Sequence, residues 1–398
     1  MIRIGQPEIA ALTRVIESGD LFRYNASKVT ETEHFEQEWA EKLDVQHVLA
    51  VTSGTAALIC ACAALGIGPG DEVIVPGYTF IATAIAPLMC GAIPVLADVD
   101  SSLLLDAADV ERRITSRTKA IIPVHMQGMP CDMDAIMAVA RRHNLVVIED
   151  ACQADAGSYH GRRLGSIGDM GAFSFNYYKL ITCGEGGAVA TNNYELFARA
   201  RMMHDGGSVF WPTKDKADFP LFMGMEFRFN NLLAAILRVQ LTQVDEWINA
   251  GRAGKRRIYE ALRAAGVRVV PAHDLDGDCG VVVGWQFDTE DDTLRCRDLL
   301  KQQGVGAWRP FDTDRHVYCN WRPILEHQAW HCDAMNPFLH PANQGAQMDY
   351  RPDMLPTTLG ILKRTLFLNL SPFLTEDKEQ DIIRKIIAAA QQVMIAGV

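Results

Sequence analysis

The chain has 398 residues, with 38 Lys and Arg against 49 Asp and Glu, a formal charge of −11, 48% hydrophobic and 22% charged residues. That composition is ordinary for a soluble globular protein, and the acidic balance argues against an extended nucleic-acid surface. The longest apolar run, Ala56 to Ile67, is too short to span a bilayer, the first eight residues lack the apolar segment of a secretory signal, and ten scattered cysteines form no C-x-x-C pair, so a reducing, cytoplasmic setting is expected.

The predicted elements follow in chain order. Ala56 to Leu65 has a helical pattern opened by Thr52-Ser53-Gly54-Thr55. Val73 to Pro76 reads as a strand, Phe80 to Leu88 as a helix, and Pro94 to Asp98 and Ala120 to Val124 as strands. A helix over Asp134 to Arg142 precedes a strand at Leu145 to Ile148 that runs into Glu149-Asp150. A strand-like run from Gly171 leads to Lys179, and Gly187 to Thr191 adds another strand. Continuous apolar strands separated by helices of about 10–15 residues indicate a buried, largely parallel sheet. Asn231 to Ala265 reads as a long amphipathic helix broken near Gly251. Beyond Gly266, strands at Val267 to Val270 and Val281 to Phe287 mix with helices at Asp292 to Gln303 and Lys378 to Ala396. The expected division is a large domain over 1–250 and a smaller α+β domain over 251–398. Between them in character lies Arg315 to Pro356, rich in Pro, Asn, His and Trp and without periodicity. It reads as a long ordered loop, a feature that is usually functional in a compact protein.

Three segments carry chemistry. Lys179 stands alone between an apolar strand and the turn Gly184-Glu185-Gly186-Gly187. Asp150 ends a strand and is followed by small residues, with Gln153 three positions on. Gly54 and Thr55 open a helix at the carboxyl end of the sheet, where free backbone N–H groups and the helix dipole favour a phosphate. Ser174 offers a hydroxyl from a second segment, and Phe80 offers an aromatic face. Taken singly, each residue has a plain reading: a helix cap, a strand-end acid, a surface amide, a core ring or an exposed lysine. Together they are the parts that hold pyridoxal phosphate. Asp150 would keep the ring nitrogen protonated, Gln153 would reach the phenolic oxygen, and Lys179 would form the Schiff base and shuttle the proton.

The ordered set Ser-Gly-Thr-Ala-Ala-Leu, Gly-Asp-Glu-Val-Ile-Val-Pro-Gly-Tyr-Thr-Phe, Glu-Asp-Ala-Cys-Gln-Ala and Ser-Phe-x-x-x-Lys-x-x-x-x-Gly-Glu-Gly-Gly resembles the DegT/DnrJ/EryC1/StrS family of pyridoxal phosphate-dependent sugar aminotransferases. The resemblance is firm from about Phe22 to Leu241 and looser beyond. It implies the type I aminotransferase fold, with a seven-stranded, mostly parallel sheet in an α/β large domain and a small C-terminal α+β domain. It also implies a homodimer with shared active sites. By the same resemblance Lys179 is the Schiff-base lysine, Asp150 faces the pyridine nitrogen, Gln153 lies near the phenolic oxygen, Gly54, Thr55 and Ser174 bind phosphate, and Phe80 stacks on the ring. The family commonly has Gly-x-Asn-x-Arg where this chain has Gly224-Met225-Glu226-Phe227-Arg228. A carboxylate beside a phosphate is repelled, so Arg228 or Asn230 takes over that contact, or Glu226 turns away.

The segments Asp20 to Asn25, Arg315 to Trp321 and Ala334 to Phe338 are similar to those of enzymes acting on keto-octulosonic acids or on scyllo-inosose with glutamine. The implied reaction moves an amino group from L-glutamine or L-glutamate to a ketone of a sugar or cyclitol that lacks a nucleotide diphosphate, as in amino sugar or aminocyclitol biosynthesis. Tyr24, His316 and Tyr318 are candidate substrate residues from position alone. Two other readings carry less weight. A dehydratase of this family has histidine at the lysine position, and a silent ligand-binding regulator would be expected to lose Lys179 or Asp150. His327 and His331 stand four apart, but the Pro-rich backbone around them favours packing over a metal site, and no metal is expected.

Overall fold

The computed structural model describes residues 4–25, 27–207 and 220–396. Helices α1 (Gln6–Ser18) and α2 (Glu31–Leu43) precede the first strand, β1 (His47–Val51). Then α3 (Gly54–Ala64), β2 (Glu72–Pro76), α4 (Ala82–Met89), β3 (Ile93–Ala97), α5 (Ala107–Arg113), β4 (Thr118–Ile121), α6 (Met133–His143) and β5 (Val146–Asp150) alternate. A short ribbon, β6 (Ser158–Tyr159) and β7 (Arg162–Arg163), separates these from β8 (Met170–Ser174), β9 (Gly187–Thr191) and α7 (Tyr194–His204). The later part contains α8 (Asn231–Leu241), α9 (Val244–Ala264), β10 (Val282–Gln286), α10 (Glu290–Gln302), the single turn α11 (Arg322–Leu325), α12 (Pro356–Lys363), β11 (Thr365–Asn369) and α13 (Glu376–Ala396).

The main sheet has seven strands in the order β1-β9-β8-β5-β4-β2-β3. Its pairs are parallel from β3 to β8, and β9 runs against both neighbours. Strands β2, β3 and β8 are buried along their whole length, which is why they read as unbroken apolar runs. Apolar cores close on both faces of the sheet. Helix α3 is Ala- and Cys-rich and buried nearly all round, so it packs between the sheet and the helices α4 and α7 rather than lying on the surface.

The carboxyl ends of β1, β2, β5 and β8 open on one edge. That is where an open parallel sheet exposes backbone groups that neighbouring strands no longer pair. Gly187 starts β9 opposite Val51 and Ser174. A Cβ there would lie 2.4 Å from the Ser53 carbonyl oxygen and 2.8 Å from the Gly54 nitrogen. Only glycine lets the N-terminus of α3 settle across β9 at this distance.

Two local expectations change. The long helix breaks at Thr242-Gln243 and not near Gly251, which sits inside α9. Gly251 is there for close approach: a Cβ would lie 3.2 Å from the carbonyl oxygens of Cys279 and Gly280. Val267 to Val270 forms no strand and contributes only the bridge between Val269 and Trp285. The partner of β10 is instead β11, antiparallel, with Val282 opposite Asn369. This two-stranded sheet packs with α9, α10 and α13 around a separate core that includes Ile258, Trp285, Leu300, Leu366 and Ile386. The division at 1–250 and 251–398 is a proposal that this separate core supports, with the unbroken α9 as the rigid link across it.

The segment from Arg315 to Pro356 is a chain of short helical turns tied to the large sheet. Tyr350 hydroxyl donates to the Pro94 carbonyl at 2.5 Å, and Asn343 Nδ2 donates to the Gly91 carbonyl at 2.9 Å. The buried Glu72 carboxylate accepts from the Gln347 backbone N–H at 2.8 Å and from the Thr115 hydroxyl at 2.6 Å. His327 donates through Nε2 to the Met348 carbonyl at 2.8 Å and packs on Phe338 and Tyr350. No helix among the described residues is long and apolar enough to cross a membrane.

Candidate active site

A cavity of about 950 Å³ opens at the carboxyl edge of the sheet. Gly54, Thr55, Phe80, Asp150, Gln153, Ser174, Lys179 and His316 all line it. They come from separate segments: the start of α3, the β2–α4 and β5–β6 loops, the end of β8, the turn after it, and the long C-terminal loop. Cys279, Val281, Asn369 and Phe373, beside β10 and β11, add a further stretch of wall.

The N-terminus of α3 is built for an anion. Ser53 caps it, its hydroxyl accepting from the Ala56 N–H at 3.1 Å. The N–H groups of Gly54 and Thr55 have no acceptor among the described residues, which leaves two donors free at the positive end of the helix. Gly54 is packed hard: a Cβ would lie 2.8 Å from both Cys152 Sγ and Ser174 Cβ. That contact brings the Ser174 hydroxyl to the same place from the end of β8.

Asp150 is 4% exposed at the end of β5. Its Oδ2 accepts from the Thr83 hydroxyl at 2.7 Å and its Oδ1 from the Cys152 backbone N–H at 3.2 Å. Each oxygen keeps a lone pair for a further donor. Thr83, which also bonds Thr79 at 2.8 Å, is a partner that the sequence reading missed. Its signal was a lone threonine in an otherwise apolar helix, four residues after Thr79. Gln153 is held by its Oε1, which accepts from the Gln127 backbone N–H at 3.1 Å. Lys179 sits in a turn whose backbone N–H donates to the Asn176 carbonyl at 2.9 Å. Phe80 is 38% exposed into the cavity, and its ring lies 5.6 Å from that of His316. Burial, opposed by a hydrogen bond to the Thr313 carbonyl and reinforced by the charges of Lys179 and Arg315, holds the His316 imidazole below its usual pKa. It is therefore neutral at pH 7.

Three candidate residues lie elsewhere within this chain. Tyr318 is fully buried, and its hydroxyl oxygen accepts from the Leu355 N–H at 2.9 Å. It is a packing residue of the core and no part of the cavity wall, because the ring is too large and apolar to leave the crevice under the long loop. Replacing Tyr318 by Phe strands a buried N–H, so a loss of about 1–2 kcal/mol in unfolding stability is expected. Substrate KM should not move, and parallel denaturation and kinetic measurements check both. Tyr24 donates to Asp205 Oδ2 at 2.8 Å, and burial, with Asp205, pushes its hydroxyl up to about 12. Asn230 is exposed and caps α8, its Oδ1 accepting from the Leu233 N–H at 3.1 Å. Glu226 is 62% exposed and paired with Arg228 at 2.8 Å, and Arg228 also bonds Asp205.

The donor set fits pyridoxal phosphate. Two free N–H groups and a hydroxyl suit its phosphate, a nearly buried carboxylate with spare lone pairs suits its ring nitrogen, and one lysine suits its aldehyde. Gly54 makes room that any side chain would fill.

The chain is 46% identical over 244 residues to GDP-perosamine synthase from Caulobacter vibrioides, a match covering 60% of this chain and 64% of that enzyme. It is 39% identical over 241 residues to L-glutamine:2-deoxy-scyllo-inosose aminotransferase from Micromonospora echinospora, covering 59% of this chain and 57% of that one. The chain thus spans less than two thirds of the length of either relative in these matches. Among solved structures, that of S. venezuelae DesV in complex with a ketimine intermediate superposes with a TM-score of 0.77 at 31% identity, over 96% of this chain and 94% of that one. Residues 3–387 match the DegT/DnrJ/EryC1/StrS aminotransferase family. With this cradle and this fold, the chain belongs to the DegT/DnrJ/EryC1/StrS aminotransferase family, whose cofactor is pyridoxal phosphate.

Proposed function

We propose that this protein transfers an amino group from L-glutamine or L-glutamate to a ketone of a sugar or cyclitol-like polyhydroxylated substrate. The observation that carries the proposal is the convergence of Lys179, Asp150 and the free N-terminus of α3 on one cavity.

Bound pyridoxal phosphate supplies an aldehyde that holds amines covalently and a ring that accepts the electron pair left on the α-carbon. The protein does the rest. The N–H groups of Gly54 and Thr55, with the Ser174 hydroxyl, hold the phosphate and fix the register. Phe80 and Gln153, both in the cavity wall, would offer the ring an aromatic face and its oxygen an amide. Asp150 keeps the ring nitrogen protonated by opposing its charge in a site sheltered from water. Lys179 Nζ is the amine that would hold the aldehyde at rest, and it is free to act as a base once a donor amine is bound. It then takes the proton from the donor α-carbon, and in the second half of the cycle it delivers a proton to the carbon that was the ketone.

Homodimerisation with shared sites and a cytoplasmic setting belong to the same proposal. Ile4, Ile9, Ile16, Leu21 and Phe22 are exposed apolar residues of the N-terminal segment, and Tyr177 and Tyr178 are exposed beside the cavity. Apolar surface of that kind suits a second copy, which would bring its own Asn230 or Arg228 within reach. The glutamine named in one relative supports glutamine as donor, and its cyclitol supports an acceptor without a nucleotide. The GDP-linked product named in the other keeps nucleotide sugars as the second class to assay.

An absorbance scan before and after adding L-glutamine or L-glutamate, with no ketone, tests the reading. The expected result is a visible cofactor band that the donor bleaches and a later ketone restores. A band that neither donor changes would remove both donors from the proposal. No band at all after adding pyridoxal phosphate would end it.

A further inference from the structure

Four residues lining the cavity are formally charged: Asp150, Lys179, Glu185 and Arg315. The first two have roles in the chemistry proposed above. Glu185 is engaged, its Oε1 accepting from Asn176 Nδ2 at 2.9 Å. The Arg315 guanidinium has no hydrogen bond and no ion pair among the described residues. Asp312, in the neighbouring turn, already accepts from both Arg309 and Arg297 and leaves Arg315 alone.

The backbone at Arg315 is held in place, unlike that of an ordinary surface arginine. Its carbonyl accepts from the Ile81 N–H at 3.2 Å and from Trp321 Nε1 at 2.9 Å. On either side, the Thr79 N–H donates to the His316 carbonyl at 3.0 Å and the Tyr318 N–H to the Gly77 carbonyl at 3.0 Å. Tyr78 and Val317 form an antiparallel bridge. The long loop is thereby zipped to the Gly77–Ile81 segment, which also carries Thr79 and Phe80 in the cavity wall. The next residue, His316, is neutral at pH 7, so it offers no second permanent cation.

A transaminase with an α-amino-acid donor has an electrostatic requirement that Lys179 cannot meet, because that lysine must stay free for the aldehyde and the proton. The donor enters with a carboxylate on the same carbon as its amine. Taking that carboxylate out of water without a partner is expensive, and a planar guanidinium matches its two oxygens with two parallel hydrogen bonds. We propose that Arg315 anchors the α-carboxylate of the amino-acid donor, and that the loop carrying it is thereby the donor-recognition element of the site. This rests on the donor reading under Proposed function. A phosphate of a nucleotide-linked acceptor has related chemistry, and the test separates the two.

Arg315→Ala and Arg315→Lys are compared with the cofactor-loaded wild type in the donor half-reaction, followed by absorbance. Half-saturation by L-glutamine or L-glutamate should rise roughly 10- to 100-fold in Arg315→Ala, the loss expected for one charged hydrogen-bonding partner, with the limiting rate changed much less. Arg315→Lys should fall between, since it keeps charge but not the fork. 4-Aminobutanamide, which is glutamine without its α-carboxylate, should be converted equally poorly by wild type and Arg315→Ala. Glutarate, a dicarboxylate with no amine, should compete with the donor in the wild type and bind about tenfold or more weakly to Arg315→Ala by calorimetry.

Unchanged donor half-saturation in Arg315→Ala overturns the inference. So does a loss confined to a GDP-linked or phosphorylated acceptor, or a wild type that binds no glutarate. A wild type that binds glutarate through Arg315 yet transfers no amine from either donor would instead sink the donor reading, leaving the carboxylate site in place.

Discussion

Replacing Lys179 by alanine will lower turnover by at least about 10⁴-fold. The substitution removes a nucleophile and a general base together, and the base alone contributes about 10²–10⁴-fold. The expected signature is specific. The phosphate cradle of Gly54, Thr55 and Ser174 is untouched, so the variant should still bind pyridoxal phosphate. It should no longer retain it covalently after borohydride reduction, whereas the wild type should. Steady-state assay and mass spectrometry of the reduced protein check the two halves. A variant with wild-type rates, or with the cofactor still trapped on another lysine, would remove Lys179 from the centre of the mechanism.

Asp150→Asn will slow the donor half-reaction by roughly 10²- to 10³-fold, the scale expected when one partner of a buried charge pair is lost. The amide keeps the shape: its oxygen can still accept from the Cys152 N–H and its NH2 can donate to the Thr83 hydroxyl oxygen, so the fold should survive. What it loses is the negative charge that holds the ring nitrogen protonated. Proton removal from the α-carbon should then become fully rate-limiting, so the isotope effect with α-deuterated donor should increase. Thr83→Val removes a 2.7 Å hydrogen bond to the same carboxylate and should cost about tenfold. Unaltered kinetics and isotope effect in Asp150→Asn would cancel the role assigned to it. Rate measurements on Thr83→Val then show how much of that role depends on orientation.

Much of the site was readable because it is written locally. The strands β2, β3, β5, β8 and β9 are runs of apolar residues buried on both faces, and a run of that kind has few other places to go in a soluble protein. Asp150 and Ser174 end two of those strands, and Gly54 opens a helix. In a parallel sheet those positions share an edge whatever the rest of the chain does, so the cavity residues could be named before any coordinates. Pieces outside those motifs were missed: β1, β11, α5, α7, α12 and the first two helices. Strands β1 and β11 pair antiparallel with segments far along the chain, and the helices are amphipathic or short and are stabilised by what they pack on.

The sequence by itself determined the fold class and pointed to residues that share one cavity, Lys179, Asp150, Gly54 and Ser174 among them, because strand ends and the start of a helix are marked by short-range pattern. Only the tertiary structure decided which side chains of the long C-terminal loop reach the site. Arg315, His316 and Tyr318 are near neighbours in a segment without periodicity. The backbone bonds to Gly77, Thr79 and Ile81 turn the first two toward the cavity and bury the third under Leu355. The same holds for the helix break at Thr242-Gln243 and for the failed strand at Val267 to Val270. A local pattern fixes how much of a segment is buried, but its partners lie far along the chain, and packing chooses among them.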